Sequence, residues 1–308
     1  MSSPSDRRLG FIGLGNLGRP LAANLLAAGF PLTVHDRNTD AARQLLADGA
    51  AWADSPAAVA RVSDTVLTCL PSPGAVSDVV EGEDSVLDGL APGGTWIDSS
   101  TNDRHELERL ATRAAAQGVE CLEAPVTGGV HLAATGQITV IVGGDPAVFA
   151  AHLPVFEAIG GRVFHVGPLG SASVLKVITN MLAFIHLVAA GEALMLARRG
   201  GLDLAQSYEV IKASSGTSFV HETESQVILN GSYDIGFTLD LACKDLGFAH
   251  ELGDELRVPL ELATLVEQTF ARARAEYGGD AWSPMVVKLL EDAVGTDLRA
   301  PGFPSRIL

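Results

Sequence analysis

The chain has 308 residues, of which 47% are hydrophobic and 19% are charged, a composition typical of a globular protein with a packed core. At about 150 residues per domain, this length favours two domains. The formal net charge of −16 argues against a nucleic-acid or anionic-membrane partner, because phosphate groups are bound by clustered Lys and Arg. The three cysteines are far apart and lack CxxC spacing, so we expect neither a disulfide framework nor a metal site. The first residues, MSSPSDRRLGF, lack the apolar core of a signal peptide, which predicts a soluble protein in a reducing, cytoplasmic setting.

Short apolar runs alternate with Ala-rich helical segments over the first half of the chain. The predicted strands are Leu9–Ile12, Leu32–His35, Thr65–Leu70, Thr95–Asp98, Val119–Glu123, Ile138–Val142 and Val163–Val166. The predicted helices between them are Arg19–Ala28, Asp40–Ala47, Asp103–Gln117 and Pro146–Ile159. This alternation indicates parallel βαβ units and a doubly wound α/β sheet domain over residues 1–169.

A long apolar segment, Ser171–Arg199, follows this region and contains no Pro. A transmembrane helix is the competing interpretation of such a run. Lys176, Asn180, His186 and Glu192 interrupt it, so a connecting helix buried between other helices is the better prediction. The later segments also have helical patterns: Leu204–Ala213, Leu239–Leu256, Leu260–Tyr277 and Trp282–Ala293. Residues 170–308 are therefore predicted to form an all-α substrate and oligomerisation domain, whose apolar surface predicts a homodimer or homotetramer.

A glycine-rich sequence follows the first predicted strand. Residues 9–18, LGFIGLGNLG, carry three glycines in GxGxxG spacing directly before a helix. The first glycine of this pattern permits a tight turn, the second lets the backbone approach a pyrophosphate, and the third lets the helix pack on the strand. The helix N-terminus then presents N–H groups to the phosphates. We therefore predict a Rossmann-type dinucleotide site with contacts from Gly13, Leu14, Gly15, Asn16, Leu17 and Gly18.

An acidic residue, Asp36, ends the second predicted strand, 18 residues past the last glycine of the loop. A carboxylate there holds the ribose hydroxyls and repels a 2′-phosphate, which favours NAD. Arg37 follows it and could clamp that phosphate, which leaves NADP open. Ligands bind at the carboxyl ends of the strands in an open α/β sheet, so further cofactor contacts are expected at Leu70, Pro71 and Thr101.

Hydride transfer between an alcohol and a nicotinamide needs a group that takes the hydroxyl proton. Tyr208 and Lys212 have the Tyr-xxx-Lys spacing of short-chain dehydrogenases, but they lie in the all-α half of the chain. None of the eight His residues can be singled out. Lys176 begins the long apolar helix, where apolar surroundings would disfavour the charged amine, and Asn180 follows one turn later. A lysine that extends from the helix end into water is the alternative interpretation.

These motifs together resemble the β-hydroxyacid dehydrogenase family, of the 3-hydroxyisobutyrate dehydrogenase type. Four blocks match in order, namely FIGLGNLGRPLAANLL from residue 11, EAPVTGG from residue 123, Gly167–Asn180, and Lys244-Asp245-Leu246. The resemblance implies NAD(P)-dependent hydride transfer between the nicotinamide and a small carboxylate-bearing substrate, a short β-hydroxy acid or its semialdehyde. It also implies that Lys176 is the acid/base and that Asn180 is its partner.

Further roles follow from the same resemblance. The Thr127 hydroxyl and the amides of Gly128 and Gly129 would hold the substrate carboxylate, and consecutive N–H groups in a Gly-Gly turn do form an anion nest. Lys244 would line the pocket near both substrate and cofactor. Ser100 would contact the substrate beside the nicotinamide, next to the cofactor residue Thr101.

The sequence also departs from the family pattern in several places. Glu123 stands where Asp is commoner, and Thr127 replaces the more usual Ser. Residues 102–104, Asn-Asp-Arg, replace a small apolar residue and a Pro after the Ser-Thr pair. Thr217 occupies a position where some relatives have Arg, in a segment expected to select the substrate tail.

Other functions remain as alternatives. One is an NADPH-dependent reductase of glyoxylate, succinic semialdehyde or tartronate semialdehyde, which Asp36 disfavours. Imine reductases usually replace the catalytic lysine that is present here as Lys176, and 6-phosphogluconate dehydrogenase has a longer helical domain. A non-enzymatic nucleotide-binding module is a further alternative. Such a module would be expected to lack the catalytic lysine or to carry an added basic domain, and neither is seen in this sequence.

Overall fold

The computed structural model describes residues 7–307, which divide into two compact units. The first unit ends at Lys176 and the second begins at Val177, so the division falls inside one helix, Ser171–Arg199. The sequence placed the boundary at residue 169, just before this helix. The first turn of the helix belongs to the sheet unit because its backbone hydrogen-bonds to Glu123 there.

The first unit contains a nine-stranded sheet. Its strands are β1 Leu9–Ile12, β2 Leu32–His35, β3 Ala51–Trp52, β4 Thr65–Thr68, β5 Thr95–Asp98, β6 Glu120–Glu123, β7 Val126–Thr127, β8 Ile138–Gly144 and β9 Gly160–Gly167. They are ordered β3-β2-β1-β4-β5-β6-β8-β7, and β9 pairs with β8. All pairs from β3 to β6 are parallel, in the strand order of a doubly wound dinucleotide-binding fold.

The predicted α/β class is confirmed, and the sheet differs from the prediction in two respects. The short strands β3 and β7 were not predicted, since two residues are too few to show an alternating pattern. The sheet is also mixed, because β8 runs antiparallel to β6 and β7 and parallel to β9. The chain reverses between β7 and β8 after the consecutive glycines Gly128 and Gly129, which both have positive φ.

Eight helices lie in the described part of the first unit before residue 170. They are α1 Gly18–Ala27, α2 Arg43–Ala47, α3 Pro56–Arg61, α4 Pro73–Glu81, α5 Val86–Gly89, α6 Arg104–Ala116, α7 Val130–Ala134 and α8 Pro146–Ile159. Alternate strand residues enter opposite cores, as the period of a strand requires. Leu67 and Ile97 belong to one core, whereas Val66 and Trp96 belong to the other. Side chains buried on both faces hold the sheet in place. The loops of the candidate site extend from the carboxyl ends of its strands.

The second unit is helical in its described residues, apart from one isolated bridge between Thr238 and Trp282. Its helices are the rest of α9 Ser171–Arg199, then α10 Leu204–Lys212, α11 Phe219–Asn230, α12 Leu239–Leu256, α13 Glu261–Tyr277 and α14 Lys288–Val294. A 3₁₀ turn, Ser283–Val286, begins the segment that was predicted as a single helix. Helix α11 was not predicted, because six consecutive polar residues, His221–Gln226, separate its two apolar runs and leave no clear apolar stripe.

Helix α9 has one covered side and one uncovered side. It is the one helix among residues 7–307 that is long and apolar enough to cross a membrane. Only 28% of its apolar 18-residue window is buried. Leu187 and Leu194 lie in the core of the second unit, as the sequence predicted, whereas Leu182 and Leu196 are 47% and 76% exposed. The expected burial between helices therefore holds for one face of α9 only.

Candidate active site

The glycine loop connects β1 to α1 in the way its spacing predicts. Gly13 has a φ of 97°, and a Cβ there would overlap the backbone oxygen of Cys69. A Cβ at Gly18 would overlap the backbone oxygen of Gly13, so the helix can approach the strand only without a side chain. A Cβ built at Gly15 meets no described atom within 4 Å, and this residue and Asn16 are exposed. The loop therefore leaves open space beside the N-terminus of α1, where a pyrophosphate fits.

Asp36 lies against this loop at the end of β2. Its Oδ2 accepts a hydrogen bond from the Leu14 backbone N–H at 2.6 Å, and its Oδ1 accepts one from Asn38 N–H at 2.7 Å. A carboxylate has about four acceptor positions, so ribose hydroxyls can still donate to it. Arg37 is exposed beside it. The structure thus brings together the acid and the glycine loop, which the sequence predicted as parts of one nucleotide site.

The loops after β4 and β5 meet at the same edge of the sheet. The Leu70 backbone N–H donates to the Ser100 hydroxyl oxygen at 2.9 Å. Ser100 is buried, Thr101 is half-buried, and Pro71 is exposed. The two loops, both predicted to contact the cofactor or substrate, are therefore linked by the Ser100 hydroxyl oxygen.

Asp98, which sequence reasoning missed, organises these loops from the end of β5. It is 1% exposed and accepts hydrogen bonds from the Thr68 hydroxyl, the Ser100 backbone N–H and the Asn102 side-chain amide, at 2.9, 3.1 and 3.0 Å. Burial raises the pKa of the Asp98 carboxyl, although these donors oppose the effect. The departure from the family pattern after Thr101 is therefore accommodated, since Asn102 contacts this acid.

The predicted carboxylate-binding turn lies between β7 and α7. Thr127 ends β7 and is half-buried, and Gly128 and Gly129 have φ values of 125° and 87°. A Cβ at Gly128 would come within 2.9 Å of Leu132. Residues with side chains rarely adopt this conformation, so the turn requires its two glycines.

Lys176 lies in the second turn of α9 and is 8% exposed. The turn before it is bound to Glu123, whose carboxylate accepts hydrogen bonds from the backbone N–H groups of Ala172 and Ser173, both at 2.8 Å. Glu123 is the last residue of β6, and the carboxylate-binding turn follows it closely in the chain. The structure therefore ties the beginning of the lysine-bearing helix to the strand that leads into this turn.

The second unit contains a separate polar cluster. Asn180, 9% exposed, donates a hydrogen bond from its amide to Oδ2 of Asp245 at 2.5 Å. The Lys244 ammonium lies 3.1 Å from Oδ1 of the same carboxylate and 5.2 Å from the centroid of the Phe248 ring. Asp245 is 1% exposed and connects two predicted site residues that are 64 positions apart in the chain, and sequence reasoning did not assign it a role.

The alternative Tyr208 and Lys212 pair lacks the setting of a catalytic site. Tyr208 is 3% exposed, its hydroxyl donates to the Glu222 carbonyl at 2.8 Å, and burial raises its pKa. The Lys212 amine lies 5.9 Å from the centroid of the Tyr208 ring. Tyr208 is therefore part of the core, and Lys212 lies on the surface of α10.

A cavity of about 800 Å³ opens elsewhere on the first unit. Its lining is mainly apolar and includes Ala111, Val119, Cys121, His165 and Leu169, but none of the predicted site residues. Burial raises the pKa of the Cys121 thiol, so this cysteine is not an activated nucleophile. Within residues 7–307, no three His, Cys, Asp or Glu side chains come together as a metal site. The polar groups at the sheet edge therefore define the candidate site better than the volume of this cavity.

Two family models match consecutive parts of the chain. Residues 8–167 match the NAD binding domain of 6-phosphogluconate dehydrogenase, and residues 170–290 match the NAD-binding region of NADP-dependent 3-hydroxyisobutyrate dehydrogenase. The first match ends close to the last strand of the sheet, and the second covers α9 and most of the helical unit. Both models describe nicotinamide-dependent dehydrogenases.

Relatives match over most of the chain. 2-(Hydroxymethyl)glutarate dehydrogenase of Eubacterium barkeri is 34% identical over 94% of this chain and 97% of its own length. Mitochondrial 3-hydroxyisobutyrate dehydrogenase of Mus musculus is 34% identical over 87% of this chain and 82% of its own length. The solved structure of Psf3 in complex with NADP+ and 2-OPP superposes with a TM-score of 0.86 at 30% identity, over 92% of this chain and 99% of that one. The chain therefore belongs to the β-hydroxyacid dehydrogenase family and is an NAD(P)-dependent oxidoreductase that acts on the hydroxyl group of hydroxyacids.

Proposed function

We propose that the preferred substrates are short β-hydroxy acids with a hydroxymethyl group, which are converted reversibly to semialdehydes. The substrates named for the two relatives both carry a CH2OH group on the carbon next to a carboxylate. The observation that carries the proposal is the buried Lys176 on a helix whose first turn is bound to the end of β6, close in the chain to the turn at 127–129. An amine and a carboxylate-binding turn are the two groups that such a substrate requires.

We assign Lys176 the role of acid/base. In the oxidation, its neutral amine accepts the proton of the substrate hydroxyl, and in the reduction its ammonium returns a proton to the aldehyde oxygen. The nicotinamide, when bound, accepts or supplies the hydride. Asn180, one turn further along α9, is held by Asp245 in one amide orientation, which suits a partner of Lys176 or of the substrate.

The carboxylate of the substrate is assigned to the turn after β7. The Gly128 and Gly129 N–H groups and the Thr127 hydroxyl supply donors, and consecutive N–H groups of this kind form an anion-binding concavity. Lys244 adds a positive charge for the substrate or the cofactor, and Ser100 adds a hydroxyl at the edge of the sheet. These groups recognise a short acid by its carboxylate and leave the rest of the substrate to other side chains.

We propose NAD as the preferred cofactor. The Asp36 carboxylate lies 2.6 Å from the loop amide of Leu14, where a ribose 2′-phosphate would meet its negative charge. NADPH-dependent reduction of a semialdehyde is the second candidate, because Arg37 is exposed next to Asp36 and the superposed Psf3 structure contains NADP+. The ratio of kcat/KM for NADH and NADPH decides between them. A preference for NADPH would overturn the assignment to NAD.

Replacement of Lys176 by Ala tests the proposal. Wild type and variant are assayed with 3-hydroxyisobutyrate and 2-(hydroxymethyl)glutarate, and the formation of NADH or NADPH is followed by absorbance. We expect kcat to fall by at least about 100-fold, since a positioned acid/base contributes roughly that factor, while cofactor affinity stays unchanged. Lys212→Ala is the matched control, because this lysine is exposed on α10. Near-normal turnover of the Lys176 variant would exclude the assigned role.

We also propose that the chain forms a homodimer or homotetramer. The support is the uncovered apolar surface of α9 and α13, on which Leu196 is 76% exposed and Leu265 is 65% exposed. Sedimentation velocity at micromolar concentration should show a mass of at least two chains. A monomer at that concentration would refute the proposal.

A cytoplasmic location is proposed as well. Cys69, Cys121 and Cys243 are not joined by disulfide bonds in the described part of the chain, which suits a reducing compartment. Fractionation of the producing cells should recover the protein without detergent in the cytoplasmic fraction. Recovery in the membrane pellet would instead favour the membrane interpretation of α9.

A further inference from the structure

We infer that Glu123 is a positioning residue for the reaction, which holds the first turn of α9 and thereby sets the place of Lys176. The inference rests on the role proposed for Lys176. Glu123 is 1% exposed, and both of its carboxylate oxygens bind α9: Oε1 accepts from Ala172 N–H at 2.8 Å, and Oε2 accepts from Ser173 N–H at 2.8 Å and from the Ser173 hydroxyl at 2.5 Å. The Gly170 backbone N–H also contributes a hydrogen bond.

These contacts satisfy backbone groups that an α-helix cannot satisfy itself. The first four N–H groups of a helix lack partners within it, and a negative charge at this end is favourable. Other helices of the chain obtain such a partner from the adjacent residue: Ser72 caps α4, Asp103 caps α6 and Asp145 caps α8. For α9 the carboxylate comes from a strand 49 residues earlier. This long-range cap fixes the helix to the sheet as well as completing its first turn.

The sheet leaves room for this carboxylate. Gly143 on β8 is the register partner of Glu123 on β6, and a Cβ at Gly143 would overlap Oε1 of Glu123. The glutamate therefore occupies space that a side chain on the neighbouring strand would fill. Burial raises the pKa of the Glu123 carboxyl, and the hydrogen bonds from Ser173, Ala172 and Gly170 oppose that rise. A carboxylate that costs free energy to bury is retained here with a full set of donors.

The position of Glu123 explains why its effect reaches the reaction. Ser173 and Lys176 are three residues apart on α9, which places them on neighbouring positions of one helix face. On the other side, Glu123 is followed by the short segment that leads to the turn at 127–129. One side chain thus links the segment that carries the amine to the segment proposed to hold the substrate carboxylate. A shift of the first turn of α9 would change the distance between the amine and the bound alcohol.

The test compares Glu123→Gln with Asp145→Asn. Each substitution removes the charge from a carboxylate that caps a helix in the first unit. Asp145 accepts from Ala147 N–H at 2.7 Å and Val148 N–H at 3.2 Å at the start of α8, outside the proposed site. For Glu123→Gln we expect kcat to fall roughly 10- to 100-fold, because small misplacements of catalytic groups have effects of that size, with KM for NADH changed by less than about twofold. Asp145→Asn should leave kcat unchanged.

Amide hydrogen exchange supplies a readout that does not depend on activity. Glu123→Gln should accelerate exchange at Ala172 and Ser173, because one of the two accepting oxygens becomes an NH2 group. Asp145→Asn should leave exchange at the start of α8 nearly unchanged, because the oxygen that accepts from both Ala147 and Val148 is kept. Ser173→Ala is the milder second variant in case the glutamine variant does not fold. It removes one hydrogen bond to Glu123, and we expect kcat to fall about 2- to 10-fold. Glu123→Asp keeps the charge and should retain more activity than the glutamine variant.

The outcomes separate this inference from the proposed function. If Lys176→Ala abolishes turnover while Glu123→Gln and Ser173→Ala keep kcat within about twofold of wild type, the positioning role is wrong and the role of Lys176 stands. If Lys176→Ala itself keeps normal turnover, the proposed function fails first. A fall in kcat for Glu123→Gln with an equal fall for Asp145→Asn would show a general effect of removing a negative charge from a helix N-terminus, and would also overturn the inference.

Discussion

The two units of the chain bury acidic side chains with different kinds of partner. In the first unit, Asp98 and Glu123 accept hydrogen bonds from hydroxyl, amide and backbone N–H groups, which carry no charge. In the second unit, Glu291 lies 3.0 Å from the Arg299 guanidinium, and Asp245 lies 3.1 Å from the Lys244 ammonium. Asp98 and Glu123 of the sheet unit are therefore held by neutral donors, whereas Asp245 and Glu291 of the helical unit each have a cation beside their neutral donors.

This difference follows from where the acids lie. Asp98 and Glu123 end strands, where loops and a helix N-terminus present several N–H and O–H groups at once. Asp245 and Glu291 lie on helices, whose own backbone N–H groups are already paired, so their donors come from other parts of the chain. Neutral donors compensate burial incompletely, and burial accordingly raises the pKa of both Asp98 and Glu123. Where the partner is a cation, its loss leaves an unpaired charge inside the protein.

The largest effect on stability is expected from Arg299→Met. Arg299 donates to both carboxylate oxygens of Glu291 and, at 2.8 Å, to the Tyr233 hydroxyl, while Glu291 is 4% exposed. Removal of the cation leaves Glu291 buried with the Tyr233 and Leu298 donors only among the described contacts. Breaking a buried pair costs about 3–5 kcal/mol, and the partial exposure of Arg299 reduces this to roughly 3 kcal/mol. Urea unfolding measures the change.

The control for this prediction is Arg198→Met. Arg198 lies 3.9 Å from Asp297, and both side chains are exposed. Exposed pairs contribute about 0–1 kcal/mol, so this variant should unfold almost as wild type does. Equal effects of the two substitutions would contradict the prediction. They would show that an arginine beside a buried carboxylate stabilises the fold no more than an arginine beside an exposed one.

A smaller effect is expected from Asp98→Ala. Its three donors would lose their acceptor, which costs about 1–3 kcal/mol. The pKa of Asp98 is raised in the folded chain, which means that folding favours its neutral form. The resulting contribution to the free energy of unfolding is fully present below the unfolded pKa of about 3.9 and is lost as the pH rises through the folded pKa. The free-energy difference between wild type and variant should therefore shrink as the pH rises from about 4. A free-energy difference that stays constant or grows as the pH rises would contradict the interpretation.

The sequence predicts the long helices and strands of the fold better than it predicts the contacts of the buried acidic residues. Helices Pro146–Ile159, Ser171–Arg199 and Leu239–Leu256 have their predicted bounds, because long periodic segments leave a clear pattern. Strand β7 and helix α11 were not predicted, since the first is too short and the second lacks a clear apolar stripe. Local pattern is thus sufficient where an element is long and amphipathic.

In the candidate site, too, contacts that follow from local spacing were predicted and long-range contacts were not. The contact between Asp36 and the glycine loop follows from a spacing that the chemistry of dinucleotide binding requires, and the structure contains it. The contacts of Glu123 with α9 and of Asp245 with Asn180 join residues 49 to 65 positions apart. Such pairings depend on the packing of whole elements, so spacing along the chain does not show them. For Glu123, an acid at a strand end next to a loop that contains Thr and Gly is the signal that could have suggested its contact. Asp245 lies within a helix and gives no such signal.

In the helical unit, Asp245→Asn tests whether the acid acts through its neighbours. Asparagine keeps the size but removes the charge that faces Lys244 and one acceptor position near Asn180. We expect kcat to fall about tenfold, the loss of about one charge-assisted hydrogen bond. Asp240→Asn, an exposed acid on the same helix, should keep kcat. An unchanged kcat in the Asp245 variant would limit this carboxylate to a structural role.

The smallest effect is expected from Asp36→Asn, which sharpens the comparison at a less buried acid of the sheet unit. Its carboxylate accepts from the Leu14 N–H group on one oxygen and from the Asn38 N–H group on the other, again neutral donors, and asparagine keeps only one of these two acceptors. We expect the lost hydrogen bond to lower the free energy of unfolding by about 1 kcal/mol. The charge matters instead for the cofactor, because it attracts ribose hydroxyls and repels a 2′-phosphate. We expect the ratio of kcat/KM for NADH over NADPH to fall about fivefold, the equivalent of one hydrogen bond of about 1 kcal/mol. Asp40→Asn, which removes a neighbouring exposed charge, should leave the ratio unchanged, since Asp40 pairs with Arg43 and is not placed in the site. If Asp36→Asn leaves the ratio of kcat/KM for NADH over NADPH unchanged, the two carboxylate oxygens of Asp36 only bind the loop. Arg37 would then be the residue that determines the cofactor preference.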